Sequence, residues 1–199
     1  MIIPNNMISH VGKIFQGEYA IGQISNPYII DIGANVGGFA VWAHEYFTNA
    51  KIDCYEPIKA NYELLRQNIE GTDIAIRNIA IGKEDGERKM YYGLHNCGEA
   101  SLYQGDEQTE DGETVKMMSA KHLPRWDIMK IDTEGAEIEI LENLVNFPSV
   151  FLIEFHSAHN RRRIDELLLD YTLIECTMRG WNYGILKYVK TTLMGENNG

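Results

Sequence analysis

Residues 28–39, YIIDIGANVGGF, decide the fold of this chain. The apolar run from Tyr28 to Ile30 ends in a carboxylate, Asp31, and a turn with three glycines follows before residues with helical spacing begin. This order predicts a buried strand, a tight loop and a helix. Glycine lets a ligand approach the backbone closely, and a helix N-terminus offers unpaired N–H groups with partial positive charge. The stretch therefore predicts a binding site for a nucleotide-like ligand.

The composition indicates a folded, acidic protein. The chain has 199 residues, a hydrophobic fraction of 44% and a formal net charge of -11, which suits one domain with a substantial core. An acidic protein offers little cationic surface to phosphate backbones, so nucleic acid is not an expected partner. The three cysteines lie far apart, which predicts neither a disulfide framework nor a zinc site. No apolar run approaches membrane-spanning length, and we expect a cytoplasmic protein without membrane contact.

Apolar runs and helical spacing alternate along most of the chain. Further strands are predicted at residues 51–57, 73–82, 127–132, 149–156, 171–176 and 183–190, and further helices at residues 58–69, 137–146 and 161–169. Ile138, Leu141 and Val145 are expected to face inward from the second of these helices. Strands joined by helices imply right-handed crossovers and a parallel sheet. We therefore predict a single doubly wound, Rossmann-like α/β domain with helices on both faces.

This domain is expected to span residues 28–194. Residues 1–27 carry a short amphipathic helix and are predicted to form a lid or to cover an edge of the sheet. The alternation of strands and helices is interrupted over residues 82–118 by two strand-like pieces around an acid-rich loop, residues 104–113. That loop is either an active-site lid or a solvated insertion. The polar residues 195–199 are expected to form a disordered tail.

Candidate site residues lie where strands end, because ligands of open α/β sheets bind outside the carboxyl ends of the strands. Glu56 ends the second strand, where an acidic side chain can accept bonds from both ribose hydroxyls; capping of the next helix is the structural alternative. Asn35 stands where a dinucleotide-binding loop has the glycine that admits a pyrophosphate. This disfavours NAD, and the lack of a P-loop lysine disfavours ATP cleavage.

Five stretches of the sequence form a recognisable set: IIDIGANVGGFAVWA, CYEPIKANYELLRQNI, IAIGKEDG, DIMKIDTEGAEIEIL and FLIEFH. They resemble the FkbM-type family of the class I S-adenosylmethionine-dependent methyltransferases. Their order and approximate spacing match the family, and the resemblance covers residues 28–156 well. The KID-x-EG-x-E motif together with D-x-GAN-x-G is fairly specific for the family, whereas either motif alone is weak.

The resemblance implies S-adenosylmethionine as the cofactor and a mostly parallel seven-stranded sheet whose last strand is antiparallel. It also implies methylation of a hydroxyl on a small molecule or glycan. The cofactor-binding residues that it implies are Asp31, Gly33, Asn35 and Gly37 in the loop, Glu56 at the ribose, Asn78 and Ile79 beside the adenine, and Asp132 near the methionine end.

Acidic residues and a histidine crowd two later strand ends. Glu154 and His156 share a face of one strand, and Asp132 and Glu134 follow another, so all four converge if the strands are neighbours. We predict these four as the catalytic residues. Two structural alternatives stay open: Glu134 as a helix cap and His156 as a hydrogen-bonded strand-end histidine. A divalent cation on Asp132, Glu154 and His156 is a further alternative that we do not expect.

Other residues have weaker claims to a role. His95, in the loop GLHNCGEAS, is an alternative base. Residues 161–163, three consecutive arginines, indicate either an anion clamp or a solvated helix start. Glu18 and Tyr19 are candidates to close over the cofactor. Trp181 is expected to pack against the protein and not to form a platform for a sugar.

These residues and the resemblance together predict an S-adenosylmethionine-dependent O-methyltransferase that acts on a saccharide or another small metabolite. Positioning of the two reactants contributes more to such a reaction than a general base does. One alternative is a methyltransferase directed at RNA or at nitrogen, which the net charge disfavours for RNA. Another is a catalytically silent cofactor-binding module that serves as an interaction subunit.

Overall fold

The computed structural model describes residues 1–93, 100–103 and 108–194. Its strands are β1 (Tyr28–Ile32), β2 (Lys51–Tyr55), β3 (Ala75–Arg77), β4 (Ala80–Gly82), β5 (Gly86–Gly93), β6 (Gln108–Ser119), β7 (Ile128–Ile131), β8 (Val150–Phe155), β9 (Tyr171–Met178) and β10 (Gly184–Lys190). Seven of them form one sheet in the order β3-β2-β1-β7-β8-β10-β9. Pairing is parallel from β3 to β8, and β10 runs antiparallel to both of its neighbours. The predicted Rossmann-like sheet with an antiparallel last strand is therefore confirmed.

Five α-helices accompany the sheet in the described residues: α1 (Ile8–Phe15), α2 (Gly38–Tyr46), α3 (Lys59–Asn68), α4 (Glu137–Asn143) and α5 (Ala158–Leu167). The continuous apolar run of β1 is explained by burial on both faces of the sheet. Ile29 packs with Phe39 on one face, whereas Ile30 packs with Ile140 on the other. Alternate residues of the central strands thus belong to two separate cores.

A second, three-stranded sheet has the order β4-β6-β5 and packs over the α4 side of the main sheet. Strands β5 and β6 confirm the strand-like pieces predicted between residues 82 and 118. The single third strand predicted at residues 73–82 is wrong, because β3 joins the main sheet and β4 the small one. Between them, the Asn78 side chain donates to the backbone carbonyls of Glu56 (2.9 Å) and Pro57 (2.8 Å), which ends the pairing with β2.

Several predicted boundaries also need correction. Helix α4 ends at Asn143, so Val145 is exposed and does not face inward. Helix α5 begins before residue 161, because the Ser157 side chain accepts a hydrogen bond from the Asn160 N–H at 3.0 Å and caps it there. Residues 108–113, predicted as loop, belong to β6.

Several other predictions concern residues outside the described ranges. They are His95, Cys97, the start of the acid-rich loop at residues 104–107, and the tail at residues 195–199. Among the helices that the structure describes, none combines the length and the apolar character needed to cross a membrane.

Candidate active site

A cleft opens at the carboxyl ends of β1, β2 and β7, where the strand order reverses between β1 and β7. Its empty space, counted out to the open mouth and including open solvent, is about 560 Å³. Predicted site residues that line it are Gly33, Asn35, Glu56, Ile79, Asp132 and Glu134. Apolar side chains on the α3 and small-sheet side complete the wall: Ile58, Ile81, Met90 and Leu102.

The glycine loop has a backbone that other residues could not easily adopt. Gly33 has a φ of 79°, and a Cβ built on it would lie 1.8 Å from the backbone oxygen of Asp132. Gly37 has a φ of 89° and a Cβ there would lie 2.6 Å from Leu65, so this glycine fits α2 against α3. Asn35 also has a positive φ, and its buried Oδ1 has no hydrogen-bond partner among the described residues. An unsatisfied acceptor on a cleft wall points to a ligand.

Glu56 binds backbone groups on both sides of the cleft. One carboxylate oxygen accepts a hydrogen bond from the Asn35 N–H at 2.8 Å, and the other accepts from the Ile58 N–H at 2.9 Å. Burial raises the pKa of Glu56 to about 7, against the opposing effect of these two bonds. The side chain therefore stabilises the start of α3 and also faces the cleft, so the capping and ligand-binding interpretations are compatible.

Three of the predicted cofactor residues have other surroundings in the structure. Asp31 is completely buried, and Gly37 contacts Leu65. Asn78 uses its side chain on two backbone carbonyls. None of the three is among the residues that line the described cleft.

Lys130 was not predicted as a site residue, although its side chain supports the glycine loop. Its Nζ donates to the Gly33 carbonyl at 2.7 Å and lies 3.1 Å from Asp31 Oδ1 and 3.4 Å from Asp132 Oδ2. Burial alone would lower the pKa of Lys130, but Asp31 and Asp132 outweigh burial and raise it. A lysine inside the apolar strand IMKI was the available signal, because a buried ammonium requires a partner.

His156, which follows β8, lies close to three acidic side chains. Its Nε2 lies 3.1 Å from Glu134 and 3.8 Å from Glu154, and its Nδ1 lies 3.3 Å from Glu137. Burial alone would lower the pKa of His156, but Glu137, Glu134 and Asp132 outweigh it and raise the pKa to about 10. The imidazole is therefore protonated at neutral pH and is not a free base.

Glu134 is held in an unusual conformation beside this imidazole. Its φ of 53° lies in the left-handed region, which costs a non-glycine residue conformational energy and is commonest at functional sites. Its backbone carbonyl accepts a hydrogen bond from the Ser101 hydroxyl at 2.6 Å. The side chain that caps the start of α4 is Glu137 and not Glu134, since Glu137 accepts a hydrogen bond from the Gly135 N–H at 2.9 Å. Burial raises the pKa of Glu134, which lines the cleft.

A buried arginine, also missed in the sequence, ties the N-terminal segment to β8. Arg179 donates to both carboxylate oxygens of Glu154 at 2.6 and 2.7 Å, and to Glu18 at 2.6 Å. The Tyr19 hydroxyl donates to Glu154 at 3.4 Å. Glu18 and Tyr19 are thus joined to the end of β8 next to His156. Arg179 follows β9 in an exposed hairpin, and its sequence context carried no signal.

Among the described residues, Asp132, Glu134 and His156 form a group that could bind a metal ion, with ligand atoms within 4.8 Å of one another. Glu154, which the sequence placed in this set, is instead engaged by Arg179.

The packing predicted for Trp181 is wrong, since this side chain is 97% exposed. Arg161 pairs with Asp165, and Arg163 pairs with Glu142 and Glu166. Two of the three consecutive arginines therefore form ion pairs with nearby carboxylates.

A doubly wound sheet with a glycine loop and a buried acidic side chain at successive strand ends defines an α/β protein of the nucleotide-cofactor-binding class. A family model described as the methyltransferase FkbM domain matches residues 31–179. The chain therefore belongs to the FkbM methyltransferase family, as its sequence motifs predicted.

Two of the curated proteins that are similar to this chain are named as methyltransferases. The hexuronic acid methyltransferase AglP of Haloferax volcanii is 26% identical over 160 residues, which is 72% of this chain and 62% of AglP. The methyltransferase sdnD of Sordaria araneosa is 25% identical over 158 residues, which is 60% of this chain and 61% of sdnD. The chain thus spans about three fifths of the length of these relatives.

A solved structure confirms the fold class. Magnesium protoporphyrin IX methyltransferase (ChlM) from Synechocystis PCC 6803, solved with bound SAM, matches with a TM-score of 0.53 at 11% identity. The match covers 94% of this chain and 80% of ChlM. At this identity the likeness concerns the fold alone.

Proposed function

We propose that this protein is an S-adenosylmethionine-dependent O-methyltransferase acting on a hydroxyl of a saccharide or another small metabolite. Membership of the FkbM methyltransferase family supports methyl transfer. The similarity to a hexuronic acid methyltransferase supports a saccharide acceptor. The observation that carries the proposal is the Glu134–His156 pair, because Glu134 lines the same cleft as Asn35 and Glu56.

The cleft residues fit S-adenosylmethionine. The Glu56 carboxylate accepts two backbone hydrogen bonds and one from the Asn61 side chain. Of its roughly four acceptor positions, one is left for a ribose hydroxyl. Ile79 and neighbouring apolar side chains suit an adenine ring. Burial alone would raise the pKa of Asp132, but Lys130 and His156 lower it, so the carboxylate stays ionised and suits an ammonium group. The unsatisfied Oδ1 of Asn35 provides a further acceptor.

The acceptor hydroxyl must lose its proton when its oxygen gains the methyl group. S-adenosylmethionine supplies that methyl group on a positively charged sulfur. Glu134 accepts the hydroxyl proton in its ionised form. Burial raises the pKa of its carboxyl to about 8, which makes the ionised form a better base than an exposed carboxylate but populates it mainly at alkaline pH. His156, protonated at neutral pH, holds Glu134 in place at 3.1 Å. The cleft itself contributes by positioning, for which the general estimate is roughly 7–11 kcal/mol of the barrier.

Calorimetry with S-adenosylhomocysteine and transfer of a labelled methyl group test the proposal together. We expect direct binding of the ligand and transfer to a saccharide or small-metabolite pool. Lack of binding at millimolar ligand would contradict the cofactor assignment. Binding without transfer to any acceptor would instead indicate a silent cofactor-binding module.

The Glu134→Gln substitution tests the proposed base. It should lower kcat by about 10²–10⁴-fold, the usual contribution of a general base, while the affinity for S-adenosylhomocysteine stays unchanged. Glu142→Gln is the matched control, because Glu142 pairs with Arg163 on the surface of α4. An unchanged kcat in Glu134→Gln would remove this carboxyl from the chemistry.

A further inference from the structure

Two hydrogen bonds hold the peptide group that joins Glu134 to Gly135, in the turn between β7 and α4. The Glu134 carbonyl accepts a hydrogen bond from the Ser101 hydroxyl at 2.6 Å, and the Gly135 N–H donates to Glu137 at 2.9 Å. Both residues have a positive φ, which is 53° at Glu134 and 113° at Gly135. A non-glycine residue keeps such a backbone only where its surroundings hold it there. Ser101 therefore supplies one of the two hydrogen bonds that fix the turn carrying the proposed base.

Ser101 is itself fixed by the small sheet. Its backbone N–H donates to the Tyr91 carbonyl of β5 at 2.9 Å, and its carbonyl accepts a hydrogen bond from the Tyr91 N–H at 2.8 Å. Its hydroxyl also accepts a hydrogen bond from the Tyr103 N–H at 3.1 Å. The side chain is buried. The position of this hydroxyl is thus set by β5, a strand outside the main sheet.

Tyr103 contacts the same turn through its ring. A Cβ built on Gly135 would lie 3.5 Å from this ring, so the ring lies against the glycine. The Tyr103 hydroxyl donates to Glu139 of α4, and the guanidinium of Arg88 lies 5.0 Å from the ring centroid. Arg88 belongs to β5. Strand β5 therefore supports the turn through Tyr103 as well as through Ser101.

Residues 100–103 also form part of the cleft wall. Ala100 and Leu102 line the cleft. They alternate with Ser101 and Tyr103, as side chains do along an extended strand. One short segment therefore contributes to the cleft wall with two side chains and supports the turn after β7 with the other two.

We propose that Ser101 is a positioning residue for methyl transfer, because its hydroxyl holds the Glu134 backbone in the conformation that places the carboxylate at the cleft, 3.1 Å from His156. This inference rests on the proposed function, in which Glu134 accepts the proton of the acceptor hydroxyl. Without the Ser101 hydroxyl the Glu134 carbonyl loses its partner, and Glu134 can relax toward a negative φ. Such a change redirects its side chain and moves the carboxylate. The cofactor contacts proposed at Asn35 and Glu56 do not involve this hydroxyl and should stay intact.

Amide hydrogen exchange tests the contact without any ligand. In Ser101→Ala the Gly135 amide should exchange about fivefold faster than in the wild type, the factor that corresponds to one net hydrogen bond. Ser119→Ala is the matched control: Ser119 is also a buried serine of the small sheet, but its hydroxyl donates to the Lys83 carbonyl at 2.8 Å and not to Glu134. Equal exchange of the Gly135 amide in the two variants would show that Ser101 does not hold the turn and would overturn the inference.

Turnover on the acceptor that isotopic labelling identifies tests the role in the reaction. Ser101→Ala should lower kcat by about 10–100-fold, the scale of a misplaced catalytic group, while the affinity for S-adenosylhomocysteine stays unchanged and Ser119→Ala keeps the wild-type kcat. In the Glu134→Gln background the Ser101→Ala substitution should cause no further loss, because Ser101 acts through that carboxylate.

The outcomes separate this inference from the proposed function. A wild-type kcat in Ser101→Ala, together with a large loss in Glu134→Gln, would overturn the role of Ser101 and leave the proposed base in place. Independent losses that add in the double variant would also overturn it, since Ser101 would then act elsewhere. A wild-type kcat in Glu134→Gln would instead reject the proposed base, and the inference would fail with it.

Discussion

At the scale of single residues, Glu56 connects two walls of the cleft. Its carboxylate bonds the Asn35 N–H of the glycine loop and the Ile58 N–H that precedes α3. Losing it would leave two backbone donors unsatisfied near the cleft, besides removing the proposed ribose partner. Any substitution of Glu56 therefore affects both the protein and the ligand, and the two effects must be measured separately.

We expect Glu56→Ala to weaken S-adenosylhomocysteine binding by roughly 1.5–3 kcal/mol, the scale of a hydrogen bond to a charged group. Calorimetry measures this affinity, and urea unfolding of the ligand-free variant measures the structural part. Asp53→Ala is the control, because Asp53 lies on β2, the strand that Glu56 follows, but pairs with Arg77. If Glu56→Ala bound as tightly as the wild type, the ribose would have to lie elsewhere.

His156 makes the stability of the protein depend on pH. Its pKa rises from the ordinary 6.5 to about 10 in the folded state, because Glu137, Glu134 and Asp132 outweigh the effect of burial. A raised folded-state pKa stabilises the fold fully below the unfolded value and loses this effect as pH rises through the folded value. The contribution of His156 should therefore decline between about pH 6.5 and pH 10.

Urea unfolding of the wild type and His156→Gln at pH 6 and at pH 10 measures this contribution. The stability difference between the two proteins should be largest at pH 6 and shrink at pH 10. His159→Gln serves as the control, since His159 is exposed on α5. A difference that grows with pH would mean that His156 is neutral in the folded protein.

At the scale of elements, the N-terminal segment depends on one buried arginine. Arg179 joins Glu18, which follows α1, to Glu154 of β8. Removal of the guanidinium would leave two buried carboxylates without their partner. Breaking a buried ion pair in this way generally costs about 3–5 kcal/mol, and we expect a loss of that order for Arg179→Met in urea unfolding.

Limited proteolysis separates a local effect from a global one. Cleavage within residues 1–27 should become faster in Arg179→Met, because the segment loses its connection to β8. Arg163→Met is the matched control: Arg163 pairs with Glu142 and Glu166 on the exposed surface, where ion pairs contribute little. Equal proteolysis of both variants would contradict the proposed role of Arg179.

The strand ends were predictable from the sequence, but the two buried cations were not recognised. Asp132 and Glu134 ended an apolar run, and this pattern alone predicts a position at the carboxyl edge. Lys130 and Arg179 act on residues distant in the chain: Lys130 bonds Gly33, and Arg179 bonds Glu18. Single-sequence periodicity contains no information on such long-range partners, so the electrostatics of the site required the folded structure.

At the scale of the whole molecule, the division of residues 73–82 into two strands is another feature that single-sequence periodicity does not predict. The run reads as one strand because both halves are apolar, yet β3 and β4 belong to different sheets. The division matters for function, since Ile79 and Ala80 line the cleft at the junction. The small sheet shares a core with β7, α4 and α5, which fixes this wall of the cleft to the main sheet.

Because the cleft is bounded by the main sheet, α3 and the small sheet, ligand binding should stabilise the molecule as a unit. A ligand at 100 times its Kd adds about 2.7 kcal/mol to the unfolding free energy. For a domain of this size, that corresponds to a rise in Tm of about 5–11 °C. Thermal unfolding with S-adenosylhomocysteine should show this rise in a single transition, whereas NAD should leave Tm unchanged because Asn35 replaces the pyrophosphate-admitting glycine. A larger shift with NAD would instead support a nicotinamide-dependent oxidoreductase.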